Sequence, residues 1–261
     1  MPDDEDQVMY VWFDALTNYI STLGWPDEEG NFKKFWTEGE VLQLAGKDQV
    51  RFQSIIWQAM LISADLPTTD QIFYHGFINS GGQKMSKSLG NVISPYEMVE
   101  RYGTDATRYI LLRHVHPFDD SDITWEKMDE WYTANLVNGL GNLVARVMKM
   151  AETHLESPVA ISEKKEIPLV KDEALGFRLN KSLDYIWGYI ADLDELIQEQ
   201  EPYKVVKIDK EKAKLQIIYL VKELYRIAFS IEPFMPETSE IILKAIEENK
   251  KPENLFKRLE N

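Results

Sequence analysis

Apolar positions fall in short unbroken runs along the first ninety residues and at helical intervals along the rest. The run Val8-Met9-Tyr10-Val11-Trp12-Phe13 predicts a buried strand. Asp14 opens a helical pattern that continues through Ile20 and stops at Gly24-Trp25-Pro26. Residues 41–45 predict a second short strand ending at Gly46, residues 47–64 a helix, and residues 71–78 a third strand leading to Gly81-Gly82. Strands alternating with helices in this way imply a parallel α/β sheet.

Beyond Gly90 the pattern changes. Ser94-Pro95-Tyr96-Glu97 combines a capping serine, a proline at the first helical position and a glutamate at the third. The predicted helices there span 94–102, 104–115, 125–155, 171–199, 211–231 and 236–249, with no clear strands between them. Leu179, Leu183, Ile186, Ile190, Leu193 and Ile197 step by four and three, the seam of a bundle helix whose role is core. Residues 157–168 are a polar, proline-containing connection. The expected fold class is therefore α/β plus all-α: an α/β domain over 1–90, a helical connector over 91–120 and a helical bundle over 121–261.

Composition narrows the chemistry. The 261 residues are 44% hydrophobic and 28% charged, enough apolar material for a sizeable core. There is no cysteine, so neither a disulfide framework nor a thiolate zinc site can form. His75, His114, His116 and His154 are not spaced as a metal cluster, and no metal ligand is assigned. No apolar run approaches a membrane span and no secretory pattern opens the chain, so a soluble cytoplasmic protein is expected. The net charge of −15 argues against a general nucleic-acid binder. That charge is unevenly spread: residues 132–150 hold Arg146 and Lys149 and no acid.

Five constellations carry candidate chemistry. Lys84-Met85-Ser86-Lys87-Ser88 lies between Gly81-Gly82 and Leu89-Gly90-Asn91. Two lysines on a mobile glycine-rich hinge suit a polyphosphate clamp, where the plain alternative is an exposed basic loop. Trp12, Ala15 and Tyr19 stand at helical spacing after a predicted strand end and either line a pocket or join the core. Gly46-Lys47-Asp48 is a strand-to-helix turn in which Asp48 is placed to cap the helix. Gln49, Gln53 and Trp57 share a face of that helix, and buried glutamines need partners. In the helix after residue 125, Asn135, Asn138, Asn142, Arg146 and Lys149 form a polar arc. It is either a solvated face or one suited to hydrogen bonding with RNA.

Lys84 to Ser88 resembles the lysine-serine loop of class I aminoacyl-tRNA synthetases. Residues 11–19, Gly46-Lys47-Asp48 and Asn142-Leu143-Val144-Ala145-Arg146 extend the likeness, in the same order, to the methionyl-tRNA synthetases. The resemblance implies a partial Rossmann-like parallel sheet, the second half of a class I catalytic domain, followed by a stem-contact connector and an anticodon-binding helical bundle. It implies a methionine–tRNA ligase using ATP with Mg2+, methionine and tRNA(Met). Lys84 and Lys87 would be catalytic. Gly46, Asp48, Gly76, Phe77, Met85, Ser86 and Ser88 would meet ATP. Trp12, Ala15, Tyr19, Gln49, Gln53 and Trp57 would line the amino-acid pocket, and Asn142, Arg146 and Tyr203 would contact the anticodon. His75, beside Gly76, would sit near the adenine or act as a structural residue.

Two departures stand out. Gln49 and Gln53 replace the aliphatic residue and histidine common in the family, and Tyr203 after Pro202 replaces a tryptophan on which a base stacks. The family's other ATP-holding loop and its zinc-bearing insertion have no counterpart here. The expectation is a C-terminal half that needs an N-terminal half as protein partner, with no zinc in this chain. The alternatives are a tRNA-binding module that has lost activation, or an activating enzyme for another amino acid.

Overall fold

The run from Val8 to Phe13 is not a strand. In the computed structural model, which describes residues 4–27, 29–161 and 166–259, residues 8–10 join no strand and Val11–Ala15 is a helical turn, α1. Val8 is 88% exposed and Phe13 60%. An apolar run becomes a buried strand only where a neighbouring strand takes its N–H and C=O groups. Here those groups close locally instead, with the Phe13 N–H donating to the Tyr10 carbonyl and that of Leu16 to the Trp12 carbonyl.

The chain divides into two compact units, Met1–Phe77 and Ile78–Asn261. In the first, α1 is followed by α2 (Asn18–Ser21) and by α3 (residues 30–37), the last missed by the sequence pattern. Strand β1 (Leu42–Gly46) leads through α4 (residues 47–63) to β2 (Gln71–His75). The two strands pair in parallel, from Leu42 opposite Gln71 to Gly46 opposite His75. This βαβ unit is the parallel α/β organisation the alternation implied. Leu16, Ile20, Phe32, Trp36, Trp57 and Leu61 form its core. The outer face of β1 is apolar too: Leu44 is 62% exposed while Gln43 points inward.

The second unit opens with a hairpin of β3 (Ile78–Ser80) and β4 (Gln83–Lys84). Gly81 and Gly82 have φ of +64° and +74°, the left-handed pair a two-residue hairpin turn demands. Strand β5 (Ser121–Asp122) adds in parallel to β3. Two-residue strands leave no periodic trace, so the pattern missed β4 and β5. This ladder also explains why the unit boundary falls at Phe77 and not near residue 90.

Helix α5 (Pro95–Tyr102) starts on the expected capping box: the Ser94 hydroxyl accepts from the Tyr96 N–H and the Ser94 N–H donates to Glu97. Next come α6 (Thr104–His114), α7 (residues 125–154), α8 (Val170–Leu175), α9 (Leu179–Gln200), α10 (Pro202–Val205), α11 (Lys210–Ile231) and α12 (Pro236–Glu247). The single helix expected over 171–199 is two helices, α8 and α9. Gly176 and Phe177 interrupt it, Phe177 at φ +58°. The α9 seam from Leu183 to Ile197 and the α7 stripe Leu136, Leu140, Leu143 and Val147 are fully buried against α11, so the predicted core positions are core. Among the described residues no helix is long and apolar enough to cross a membrane.

Candidate active site and nucleic-acid interface

In the first unit, three of the expected pocket residues, Tyr19, Gln53 and Trp57, are knitted together. Gln53 is only 2% exposed; its Nε2 donates to the Tyr19 hydroxyl at 2.7 Å and its Oε1 is buried without a partner. The Trp57 ring lies 5.8 Å from Tyr19 and its indole N–H is likewise buried and unpartnered. Trp12 stacks on Phe52 at 4.2 Å. A buried acceptor and a buried donor left open beside aromatic walls are polar groups waiting for a partner. Ala15 is half-buried, its carbonyl taken by Asn18. Gln49 is half-buried in the 3₁₀ turn Lys47–Gln49, ahead of the π-helical stretch Arg51–Trp57 that carries Gln53 and Trp57.

The strand-to-helix turn at Gly46 is shaped by Asp48. A Cβ on Gly46 would stand 2.7 Å from Asp48 Oδ1, so only glycine lets the carboxylate fold back there. The expected side-chain cap is not made: no cap hydrogen bond opens α4, because the carboxylate turns back over the strand end instead. Lys47 Nζ lies 4.8 Å over the Phe77 ring. Gly76 is buried, and its carbonyl lies 2.8 Å from Nδ1 of His75.

In the second unit the lysine loop is tied to its flank by hydrogen bonds. Lys84 sits on β4 opposite Asn79. Asn91 staples the segment: its Oδ1 accepts from the Ser86 N–H at 2.9 Å, and its Nδ2 donates to the Lys84 and Ser80 carbonyls. The Ser86 and Ser88 hydroxyls are 2.7 Å apart, and Met85 packs against the core. The Gly82 N–H donates to Asp122, whose carboxyl is held below its usual range by Lys127 and by that amide. The backbone of Lys87 begins a 3₁₀ turn, Lys87–Leu89; its side chain lies outside the described residues.

The polar arc on α7 splits. Residues 132–141 are π-helical, and the wider i→i+5 turn moves Asn135 off the arc. Asn135 binds the Trp131 carbonyl through its side chain, and its own carbonyl accepts from Trp187. Asn138 and Asn142 line a cavity of about 360 Å³. Arg146, one turn on, lines a second cavity of about 500 Å³ with Lys149 and Tyr203. Arg146 pairs with Asp194. The Tyr203 ring is exposed on α10, beside the Glu201–Lys204 ion pair that lowers the Glu201 carboxyl and raises the Lys204 amine.

The family model described as tRNA synthetases class I (M) matches residues 1–148. The chain belongs to this family. Among curated relatives it is 38% identical over 250 residues to the methionine–tRNA ligase of Fusobacterium nucleatum, covering 90% of this chain and 39% of that protein. It is 36% identical to that of Thermotoga maritima, covering 97% and 42%. Among solved structures, Mycobacterium tuberculosis methionyl-tRNA synthetase bound by methionyl-adenylate matches with a TM-score of 0.80 at 31% identity, covering 93% of this chain and 51% of that one. The chain spans about half the length of the relatives it matches. For a class I synthetase chain, the residues that sequence reasoning missed are supports: Phe52, Asn91 and Asp194. Only Asn91 left a signal, as the end of the Leu89-Gly90-Asn91 flank.

Proposed function

We propose that this chain supplies the second part of the catalytic domain and the anticodon-binding bundle of a methionine–tRNA ligase. The observation that carries the reading is that the tied lysine loop and the Arg146–Tyr203 cavity occur on one chain of this family. In the reaction the methionine carboxylate oxygen bonds to the α-phosphorus of ATP while the bond to pyrophosphate breaks. Negative charge grows on the phosphoryl oxygens and the leaving group, so positioned cations lower the barrier. Lys84 and Lys87 supply those cations, and Asp48, Gly76 and Phe77 flank the nucleotide with Gly46, Met85, Ser86 and Ser88. Magnesium arrives with the substrate as Mg-ATP. Trp12, Ala15, Tyr19, Gln49, Gln53 and Trp57 receive methionine, with the open Gln53 carbonyl offering an acceptor to its ammonium.

Asn142, Arg146 and Tyr203 read the anticodon of tRNA(Met), Tyr203 by stacking. The domain functions divide as 1–90 catalytic, 91–120 stem contact and 121–261 anticodon binding, in a cytoplasmic setting. Activation requires the remainder of the enzyme, on whatever polypeptide it resides. The exposed apolar side chains of Phe13, Leu42 and Leu44 support a large surface for it. The test is methionine-dependent ATP–pyrophosphate exchange by this chain, with and without the complementary half of a relative. Exchange restored by the complement, and lost on Lys84→Ala, is the expected result. A chain exchanging at the full enzyme's rate alone would overturn the requirement for a partner. CAU-dependent tRNA binding without any exchange would favour a tRNA-binding module.

A further inference from the structure

Asp122 closes β5 two residues before Thr124, whose hydroxyl caps α7 by accepting from the Lys127 N–H. Its carboxylate joins two elements. Oδ1 accepts from the Gly82 N–H at 2.6 Å, and Oδ2 accepts from Lys127 Nζ, in the first turn of α7, at 2.8 Å. Both ends of that first turn are anchored. Ile123 is 2% exposed and its N–H donates to the Asn79 carbonyl at 3.0 Å, while Met128 is wholly buried. What Asp122 holds has little rigidity of its own: β4 is two residues long and follows a Gly-Gly turn. A two-residue turn closes through the residues on either side of it, Ser80 and Gln83, and leaves the Gly82 N–H to an outside acceptor. Lys84 pairs with Asn79 on one side of β3, and Asp122 pairs with Asn79 on the other, so the three stand in one cross-strand row.

We infer that Asp122 is a positioning residue for Lys84: it fixes the Gly81-Gly82 turn to the start of α7 and so sets where the Lys84 ammonium stands when charge develops on the phosphoryl oxygens. This rests on the ligase reading above and adds a residue that reading does not use. Asp122 touches no reacting atom in this role. Asn91 holds the chain at the Lys84 carbonyl, and Asp122 holds the turn just ahead of it, so the backbone of Lys84 is fixed from both directions. A cation fixed beforehand needs no reorganisation as the barrier is crossed. A carboxylate suits the task because a charge-assisted hydrogen bond is about twice as strong as a neutral one. Lys127 offsets the negative charge, so the anchor does not oppose the field of the lysines it serves.

The test is methionine-dependent ATP–pyrophosphate exchange by this chain with the complementary half of a relative, for Asp122→Ala, Asp122→Asn, Lys84→Ala and the double variant Asp122→Ala/Lys84→Ala. Asp122→Ala should lower kcat about ten- to hundredfold and leave KM for ATP within about twofold, since a misplaced Lys84 is missed only in the transition state. Asp122→Asn keeps an acceptor for the Gly82 N–H and should return kcat to within about fivefold of the unmodified chain. The double variant should be no more than about twofold slower than Lys84→Ala, because a positioning residue has nothing left to position. In the full chain alone, Asp122→Ala should speed hydrogen exchange at the Gly82 amide about tenfold or more and leave α9 and α11 unchanged, which also reports that the variant is folded. Losses that multiply in the double variant, or an Asp122→Ala kcat within about twofold of the unmodified chain, would overturn the positioning role and leave the ligase reading standing. Unchanged exchange at Gly82 would overturn the anchor itself. No pyrophosphate exchange by the unmodified, complemented chain would sink the ligase reading and the role of Asp122 with it.

Discussion

Gln53 shows how a single side chain can be costly to the free protein and useful to a site. Its buried Oε1 has lost water and gained nothing, a penalty of about 1–3 kcal/mol, while its Nε2 is satisfied by Tyr19. Tyr19→Phe removes that one partner and should lower the free energy of unfolding by about 1–2 kcal/mol. Gln53→Met removes both polar atoms at similar volume and should change stability by less than about 1 kcal/mol, in either direction. Urea titrations of the two variants decide the point: equal losses would mean that the open carbonyl carries no penalty. His114 is a second such residue. Its ring stacks on Trp131 at 4.1 Å, and its Nε2 is buried and unpartnered. Burial first, then the Arg113 charge, depress its pKa to about 4, against a weaker opposing pull from Asp184. Because the folded pKa lies below the unfolded one, His114 stabilises fully above about pH 6.5, and that contribution drains away as pH falls toward 4. Between pH 7.5 and 5 the intact protein should lose on the order of 2 kcal/mol more than His114→Gln, measured by denaturant midpoints at each pH.

Among the elements, the lysine loop is closed by Asn91. Its amide bridges the Ser86 N–H and the Lys84 and Ser80 carbonyls, closing the loop onto β3 and β4. Asn91→Ala should leave global stability within about 1 kcal/mol, since the loop is exposed, yet speed hydrogen exchange at the Ser86 amide about tenfold or more. Unchanged exchange there would show that the 3₁₀ turn holds the loop by itself. The helices of the bundle were legible because burial of one stripe repeats every three to four residues, as Leu183 to Ile197 does. The Ser94 capping box was legible because its chemistry is local. The apolar run Val8–Phe13 misled, since whether such a run becomes a strand depends on a ladder partner that no local pattern encodes. The π-helical stretch of α7 misled in another way. Its i→i+5 bonding moved Asn135 off the arc that a 3.6-residue repeat assigns to it. The candidate site was legible as motifs, Lys84 to Ser88 and Asn142 to Arg146. Its supports Phe52 and Asp194 come from distant sequence and were not.

For the whole molecule, the two units differ in how much apolar surface they bury. The second unit encloses a core running through α5, α6, α7, α9, α11 and α12, with Leu136, Leu140, Ile186 and Leu224 wholly buried. The first, within Met1–Phe77, encloses a small cluster and leaves Phe13, Leu44, Ile55 and Ile62 each at least 60% exposed. A unit of that size that hides little apolar surface is marginal, whereas each wholly buried Leu or Ile adds about 1.5–3 kcal/mol. Residues 1–77 should therefore open at a lower free energy than the bundle. In hydrogen exchange under mild denaturant, amides of β1, β2 and α4 should exchange through a low-energy opening, while those of α7, α9 and α11 exchange only with global unfolding. If a complementary half binds the first unit, protection should rise there by RT ln(1 + [L]/Kd) and stay unchanged in α9 and α11. Uniform protection across both units in the chain alone would mean that they unfold as one cooperative body, and that the exposed apolar face of β1 costs the fold less than its burial pattern implies.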